Sequence, residues 1–225
     1  MVRNMSLVSD PVLISTRRDN PAVFRLLCEF NYLPAVYLHT TRRPEFFENK
    51  LPDKVWACSR VWPRLSALML RQLDLHEDSQ CSLPTQQHSF VLLPPFRLAR
   101  LAQHIGAILL GSQIRSCLAR DEVLRWRERL GQEAFDFAMN RARLLPTAHL
   151  ALESKGATDV AAIGFGVLIR CLSDLPKGIY QRALLKMPVD SVAADIDAKH
   201  AKQLVQSVML TLEGEWRSLF FPKTI

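Results

Sequence analysis

The sequence predicts an all-α protein, a compact orthogonal bundle of roughly eight to ten helices with one long irregular loop near 76–94. Three observations carry that expectation. Prolines stand where helical patterns start or stop, at Pro21, Pro34, Pro44, Pro52, Pro63, Pro94, Pro95, Pro146 and Pro176. Leucine and alanine are abundant and glycine is held to 8 residues, while alternating Val/Thr/Ile/Tyr runs are absent. Residues 98–109 repeat their apolar side chains at helical spacing.

Residues 1–19 read as a flexible lead-in, and 20–225 as a single helical domain. Asn20-Pro21 supplies an N-cap and a first-turn proline. A helix over about 21–31 follows, with Val23, Phe24, Leu27 and Phe30 turned inward. Pro34 ends or restarts it. Pro44 and Pro52 open two short helices, the first carrying Phe46, Phe47 and Lys50, the second Val55, Trp56 and Ser59. Pro63 interrupts the second, and a further helix runs to about Leu75. The loop near 76–94 includes a short extended piece at Phe90–Leu93.

Pro94-Pro95 starts the strongest helix, whose stripe is Leu98, Leu101, Ala102, Ile105 and Leu109. Arg97, Arg100 and His104 lie on another face, with His104 a surface or half-buried ring. Gly111-Ser112 breaks the helix before Ile114–Leu118. Asp121 caps Glu122–Leu130, and Asp121/Arg125 and Arg129/Glu133 stand at i,i+4 spacing, worth roughly 0.2–0.5 kcal/mol each. Gly131 divides this helix from the next. Phe135, Ala138, Ala142 and Leu145 form that helix's inward stripe, and Pro146 stops it. Residues 146–157 offer the best subdomain boundary. Asp159–Leu172 is a small-residue, apolar helix. A short helix at 177–186 and a long one over about Asp197–Leu219 complete the chain.

Five widely spaced cysteines read as reduced, mostly buried thiols, not a disulfide framework. No apolar run approaches the roughly 20 residues that span a bilayer. The first 20 residues lack the apolar core of a secretory signal, so the chain reads as cytoplasmic. Net charge is +7, unevenly spread. Residues 1–143 hold 20 Lys/Arg against 14 Asp/Glu, and 144–225 hold 9 against 8. That imbalance suits nucleic acid, anionic lipid or an acidic protein.

No phosphate-binding loop, H-E-x-x-H or C-x-x-C pattern occurs. Gly164-Phe165-Gly166 lacks a third glycine and sits in a helix, where close packing explains it. Cys81 and His88 are too few ligands for a zinc site. The six histidines are scattered, and a structural hydrogen bond is the expected role of His39. No catalytic, cofactor-binding or metal-binding residue is assigned, and no cofactor is expected. The basic surface lacks nucleic-acid recognition elements, and Glu122, Glu128, Glu133 and Asp136 dilute it. A basic helical, nucleic-acid-associated regulatory protein stays open as the alternative reading.

Phe30–His39 reads FNYLPAVYLH, with Pro44 behind it. This resembles the F-x-x-x-P-A-x-Y-L-H element near the start of the SctK/YscK family, matched here by Phe30, Pro34, Ala35, Tyr37, Leu38 and His39. Leu98–Leu145 is similar to a second family segment. It carries Leu101-Ala102, Gly106, Leu109-Leu110-Gly111, Ile114-Arg115 and Cys117-Leu118. The family comprises cytoplasmic accessory proteins of bacterial type III secretion systems. The resemblance implies a non-enzymatic, all-helical scaffold of the cytosolic sorting platform. It implies two direct partners, the cytoplasmic domain of the inner-membrane ring protein SctD and the pod protein SctQ. SctL and the ATPase SctN follow indirectly. No membrane insertion and no nucleic acid are expected, only a peripheral place at the inner membrane through the ring. The motif residues, Tyr37 and Leu38 above all, read as core. The expected partner interface is Arg97, Arg100, His104, Arg125 and Arg129, an arginine face aimed at acidic groups.

Overall fold

Asn20 caps the first helix as its side chain suggests, accepting the Val23 N–H at 3.1 Å. The computed structural model describes residues 16, 20–47, 51–76, 86–141 and 159–216. Helix α1 (Pro21–Tyr32) buries Val23, Leu27 and Phe30, while Phe24 is half-buried. Pro34 restarts the chain as α2 (Pro34–Tyr37) after a single residue, Leu33. A 3-10 turn, Thr40–Arg42, leads to α3 (Arg43–Phe46), and α4 (Asp53–Trp56) follows Pro52. Helix α5 (Trp62–Gln72) carries Pro63 in its first turn. Past Gln72 the chain turns through Asp74, which takes φ 56°. The Leu75 N–H reaches back to Leu70 and the Asp74 N–H to Arg71, a Schellman ending with Asp where glycine is usual.

The apolar run Phe90–Leu93 is not extended. Gln86–Leu92 is a 3-10 helix, and all four residues of the run are buried. Helix α6 (Pro95–Leu109) begins at the double proline. It breaks at Leu110, and Gly111 opens α7 (Gly111–Ser116). Helix α8 (Arg120–Leu130) is capped by Ala119, not by Asp121. Asp121 falls in the first turn, where a negative charge still favours the helix dipole. Gly131, at φ 74°, separates α8 from α9 (Gln132–Arg141). Ala134 and Ala138 form the buried line of α9, with Phe135 half-buried beside it. Asp159 caps α10 (Val160–Cys171), and Pro176 precedes α11 (Lys177–Leu184). Asp197 caps α12 (Ala198–Leu212), and residues 214–216 are again helical. Among the described residues no strand occurs, as the all-α reading expects. The expectations for 1–15, 17–19, Lys50, 77–85, Ala142, Leu145, 146–157 and Leu219 fall outside the described residues.

The chain forms two compact units. The first takes the chain up to Leu92, Pro176–Pro188 and the segment from Glu215. Its core joins α1, α2 and α5, with Val23, Leu27, Phe30, Leu65 and Met69 each under a tenth exposed. The second takes Leu93–Leu175 and Val189–Gly214. Helix α6 is its centre, packed on α9, α10 and α12.

Two glycines let α6 and α10 approach closely. A Cβ on Gly164 would stand 1.8 Å from the Ala102 carbonyl oxygen, and one on Gly106 would stand 2.0 Å from that of Val160. Close packing therefore explains Gly164, as its sequence context suggests. The cysteines depart from expectation: Cys171 is buried, Cys28 and Cys117 are half-buried, and Cys58 is exposed in the turn after α4. Among the described residues no helix is long and apolar enough to cross a membrane.

Candidate functional site

Three of the five expected interface residues gather on α6. Arg97 and Arg100 are one turn apart and both face Glu213, the residue that ends α12. Nη1 of Arg97 lies 3.1 Å from one Glu213 carboxylate oxygen, and Nη1 of Arg100 lies 3.6 Å from the other. The Glu213 side chain is only 5% exposed, against 41% and 42% for the arginines. A carboxylate at a helix C-terminus opposes the helix dipole, and two guanidinium groups offset that cost. Arg100 also grips Glu133 of α9, donating from Nε at 3.2 Å and from Nη2. That hydrogen bond holds the Arg100 pKa above its ordinary value and the Glu133 pKa below.

His104 is buried, at 2% exposure, and so departs from the surface or half-buried ring expected. Its Nδ1 lies 2.8 Å from the Arg100 carbonyl, which can only accept, so Nδ1 carries the proton. The ring meets Phe137 edge-on, with centroids 5.1 Å apart. Burial lowers its pKa, opposed by the hydrogen bond to Arg100. His104 is thus a neutral brace beneath Arg100. Its spacing from Leu101 and Ile108 is the signal that places it on an apolar face.

Arg125 and Arg129 lie on α8 and are exposed. Neither i,i+4 pairing takes the expected form. Arg125 Nε donates to the main-chain carbonyl of Asp121 at 3.3 Å, and Glu133 is engaged by Arg100. The Arg129 guanidinium sits 5.0 Å from the centre of the Trp126 ring. Leu130 is the buried residue of α8, so most of this helix faces outward with Leu124, Arg125, Arg127 and Arg129 exposed.

The aromatic element 30–39 is held from the other side by two cations that the sequence does not flag. Arg182 is 1% exposed and donates to three carbonyls, those of Asn31 at 3.3 Å, Leu75 at 3.0 Å and Gly178 at 3.1 Å. The Asn31 carbonyl needs that donor because the Ala35 N–H goes to Ser66 Oγ at 3.1 Å, not back along the helix. Lys186 Nζ donates to Val91 at 2.6 Å and lies 4.8–5.1 Å from the centres of the Tyr37 and Phe30 rings. Burial pushes the Lys186 amine down to about 7, opposed by the Glu29 carboxylate. The two ring faces also favour the cation. His39 makes its expected hydrogen bond through Nδ1, 2.8 Å from Thr41 Oγ1.

A family model described as YOP proteins translocation protein K (YscK) matches residues 27–217. The chain belongs to the YscK family. It is a type III secretion protein, of an accessory family and not of a known enzyme family. Searches of curated proteins and of solved structures found no match.

The YscK match extends well past the two motif segments and takes in Arg182, Lys186 and Glu213. In this YscK-family chain the F-x-x-x-P-A-x-Y-L-H element is a piece of core. Tyr37 is 4% and Leu38 8% exposed, so neither presents a surface to a partner. Burial lifts the Tyr37 pKa far above its ordinary value, and the hydroxyl stays a neutral donor. The surface of α6 and α8 carries forked cationic donors, with Leu118 and Leu124 exposed near them in sequence.

Proposed function

We propose that this YscK-family chain is a non-enzymatic scaffold of the type III secretion cytosolic sorting platform. It bridges the cytoplasmic domain of the ring protein SctD to the pod protein SctQ, and through SctQ to SctL and SctN. It works in the cytoplasm, at the inner face of the inner membrane. The family match over residues 27–217 carries this reading. The exposed arginines of α8, with Leu124 at 41% and Leu118 at 97% exposure, support it as a charged surface with apolar neighbours.

The arginines do not contribute equally. Arg125 and Arg129 are both exposed on α8, Arg125 bonded to the Asp121 carbonyl and Arg129 resting against Trp126. Arg97 and Arg100 keep about two fifths of their surface exposed while holding Glu213, so they bind a partner only alongside that duty. His104 acts indirectly, by fixing the backbone of Arg100.

Binding of the purified full chain to SctD cytoplasmic domain and to SctQ tests the proposal. Arg125→Glu with Arg129→Glu should weaken one of the two bindings by at least about tenfold, as loss of charge-assisted contacts implies. Unchanged binding of both partners would remove the arginine surface from the reading. Absence of either binding, together with a salt-dependent DNA shift, would overturn the scaffold itself.

A further inference from the structure

The first unit contains a pocket of about 400 Å³ beside α3 and α4. That volume is in the range of sites that take one bulky side chain and its neighbours. Its walls are mixed: Pro44, Phe47, Leu51, Pro52 and Trp56 supply the apolar part, and Thr40, Arg43 and Asp53 the polar part. Phe47 meets Trp56 edge-to-face with ring centres 5.6 Å apart, which gives the pocket a firm aromatic wall.

One charged pair stands in this setting. The Arg43 guanidinium lies over the Trp56 ring, 4.7 Å from its centre. Its Nη1 donates to Asp53 at 3.0 Å, and its buried Nε has no hydrogen-bond partner. The Asp53 side chain is 97% exposed and that of Arg43 29%. An ion pair so open on its acidic side contributes little, so an incoming carboxylate can displace Asp53 at small cost. Lys54, Arg60 and Arg64 are exposed along the same stretch of chain. Against the exposed Glu45 and Asp53, these three cations and Arg43 leave the described stretch net positive, which favours an anionic visitor over a cationic one.

We propose that this pocket docks an acidic peptide segment of a partner protein through one bulky apolar side chain. The apolar side chain rests against Phe47 and Trp56, between Leu51 and Pro52. A neighbouring carboxylate takes the Arg43 guanidinium from Asp53. The site uses none of the arginines of α6 and α8, and its test needs neither SctD nor SctQ.

The probe is a fluorescein-labelled peptide in which one leucine is flanked on both sides by glutamates. Its anisotropy is read against the full chain. Saturable binding is expected. Arg43→Gln should weaken it about tenfold, the worth of one charge-assisted hydrogen bond. Asp53→Asn should strengthen it about threefold, because the competing carboxylate is gone while the fully exposed position leaves the fold intact. A peptide with glycine in place of leucine should lose binding. No saturable binding, equal binding by the glycine peptide, or an Asp53→Asn variant no tighter than the parent each overturns the proposal. The Asp53→Asn arm keeps the test decisive should Arg43→Gln fail to fold.

Discussion

The Tyr37 hydroxyl donates to the main-chain carbonyl of Phe30 at 2.6 Å. In an unbroken helix that carbonyl would take the N–H of residue 34, but Pro34 has none. Tyr37 thus supplies the donor that the proline removes, and this ties three positions of the motif into one device. Tyr37→Phe keeps the ring and its stacking on Phe30 but leaves a buried acceptor unpaired. It should cost about 1–3 kcal/mol in urea unfolding. A loss below about 0.5 kcal/mol would mean that water or another donor replaces the hydroxyl.

The crossing of α6 and α10 should be the least tolerant place in the chain. A methyl at Gly164 meets main-chain atoms of Ala102, which no rotamer change can move. Gly164→Ala should cost about 3 kcal/mol or more, or abolish folding. Gly214→Ala is the control, because a Cβ added there would have nothing within 4 Å. The pair of melting temperatures decides the matter, and equal values would refute the crossing.

Lys186 should give stability an alkaline slope. Its pKa is about 7 in the folded chain against an ordinary 10.5. Between those values the unfolded chain binds the extra proton, so stability rises as pH rises. The groups that face the amine are the Glu29 carboxylate and the Phe30 and Tyr37 rings. Above about pH 9 the raised pKa values of Cys171 and Tyr37 pull the other way, because the unfolded chain loses those protons first. The window to read is therefore pH 7 to 9. Urea midpoints should climb across it for the parent chain and stay flatter for Lys186→Met.

Arg97 and Arg100 should prove structural as well as superficial. Removing both as Arg97→Met/Arg100→Met leaves the nearly buried Glu213 carboxylate uncompensated. We expect a loss of about 1–2 kcal/mol, below the cost of breaking a fully buried pair because both arginines are two fifths exposed. Adding Glu213→Gln should recover part of it. Recovery in thermal melts would identify the carboxylate as the source of the cost.

Helix starts were legible because their causes are local. Asn20, Asp159 and Asp197 each accept N–H groups within a turn of themselves, and Pro21 and Pro95 preset the backbone of a first turn. The 3-10 form of Phe90–Leu92 was not, since a short run of buried apolar residues has no period to distinguish it from a strand. Asp121 has the chemistry of a cap, yet the helix begins one residue before it. The arginines of the expected site were visible as charge, but Glu213 and Glu133, which decide how much of that charge is free, lie 113–116 and 33 residues away in sequence. Arg182 and Lys186 were the least legible of all. On a short helix such charges look solvated, and their acceptors are carbonyls, which leave no trace in a residue pattern.

Those two cations set the rules for locating partners by truncation. The unit that holds the aromatic motif is assembled from chain on both sides of residues 93–175. Any fragment that ends before Pro176 retains the motif but loses Arg182 and Lys186. The carbonyls of Asn31, Leu75 and Val91 then lose a donor at once. Such a fragment would forfeit binding through collapse of an internal brace, even where every residue that touches a partner is still present. Point substitutions on the intact chain separate the two causes, and deletions do not.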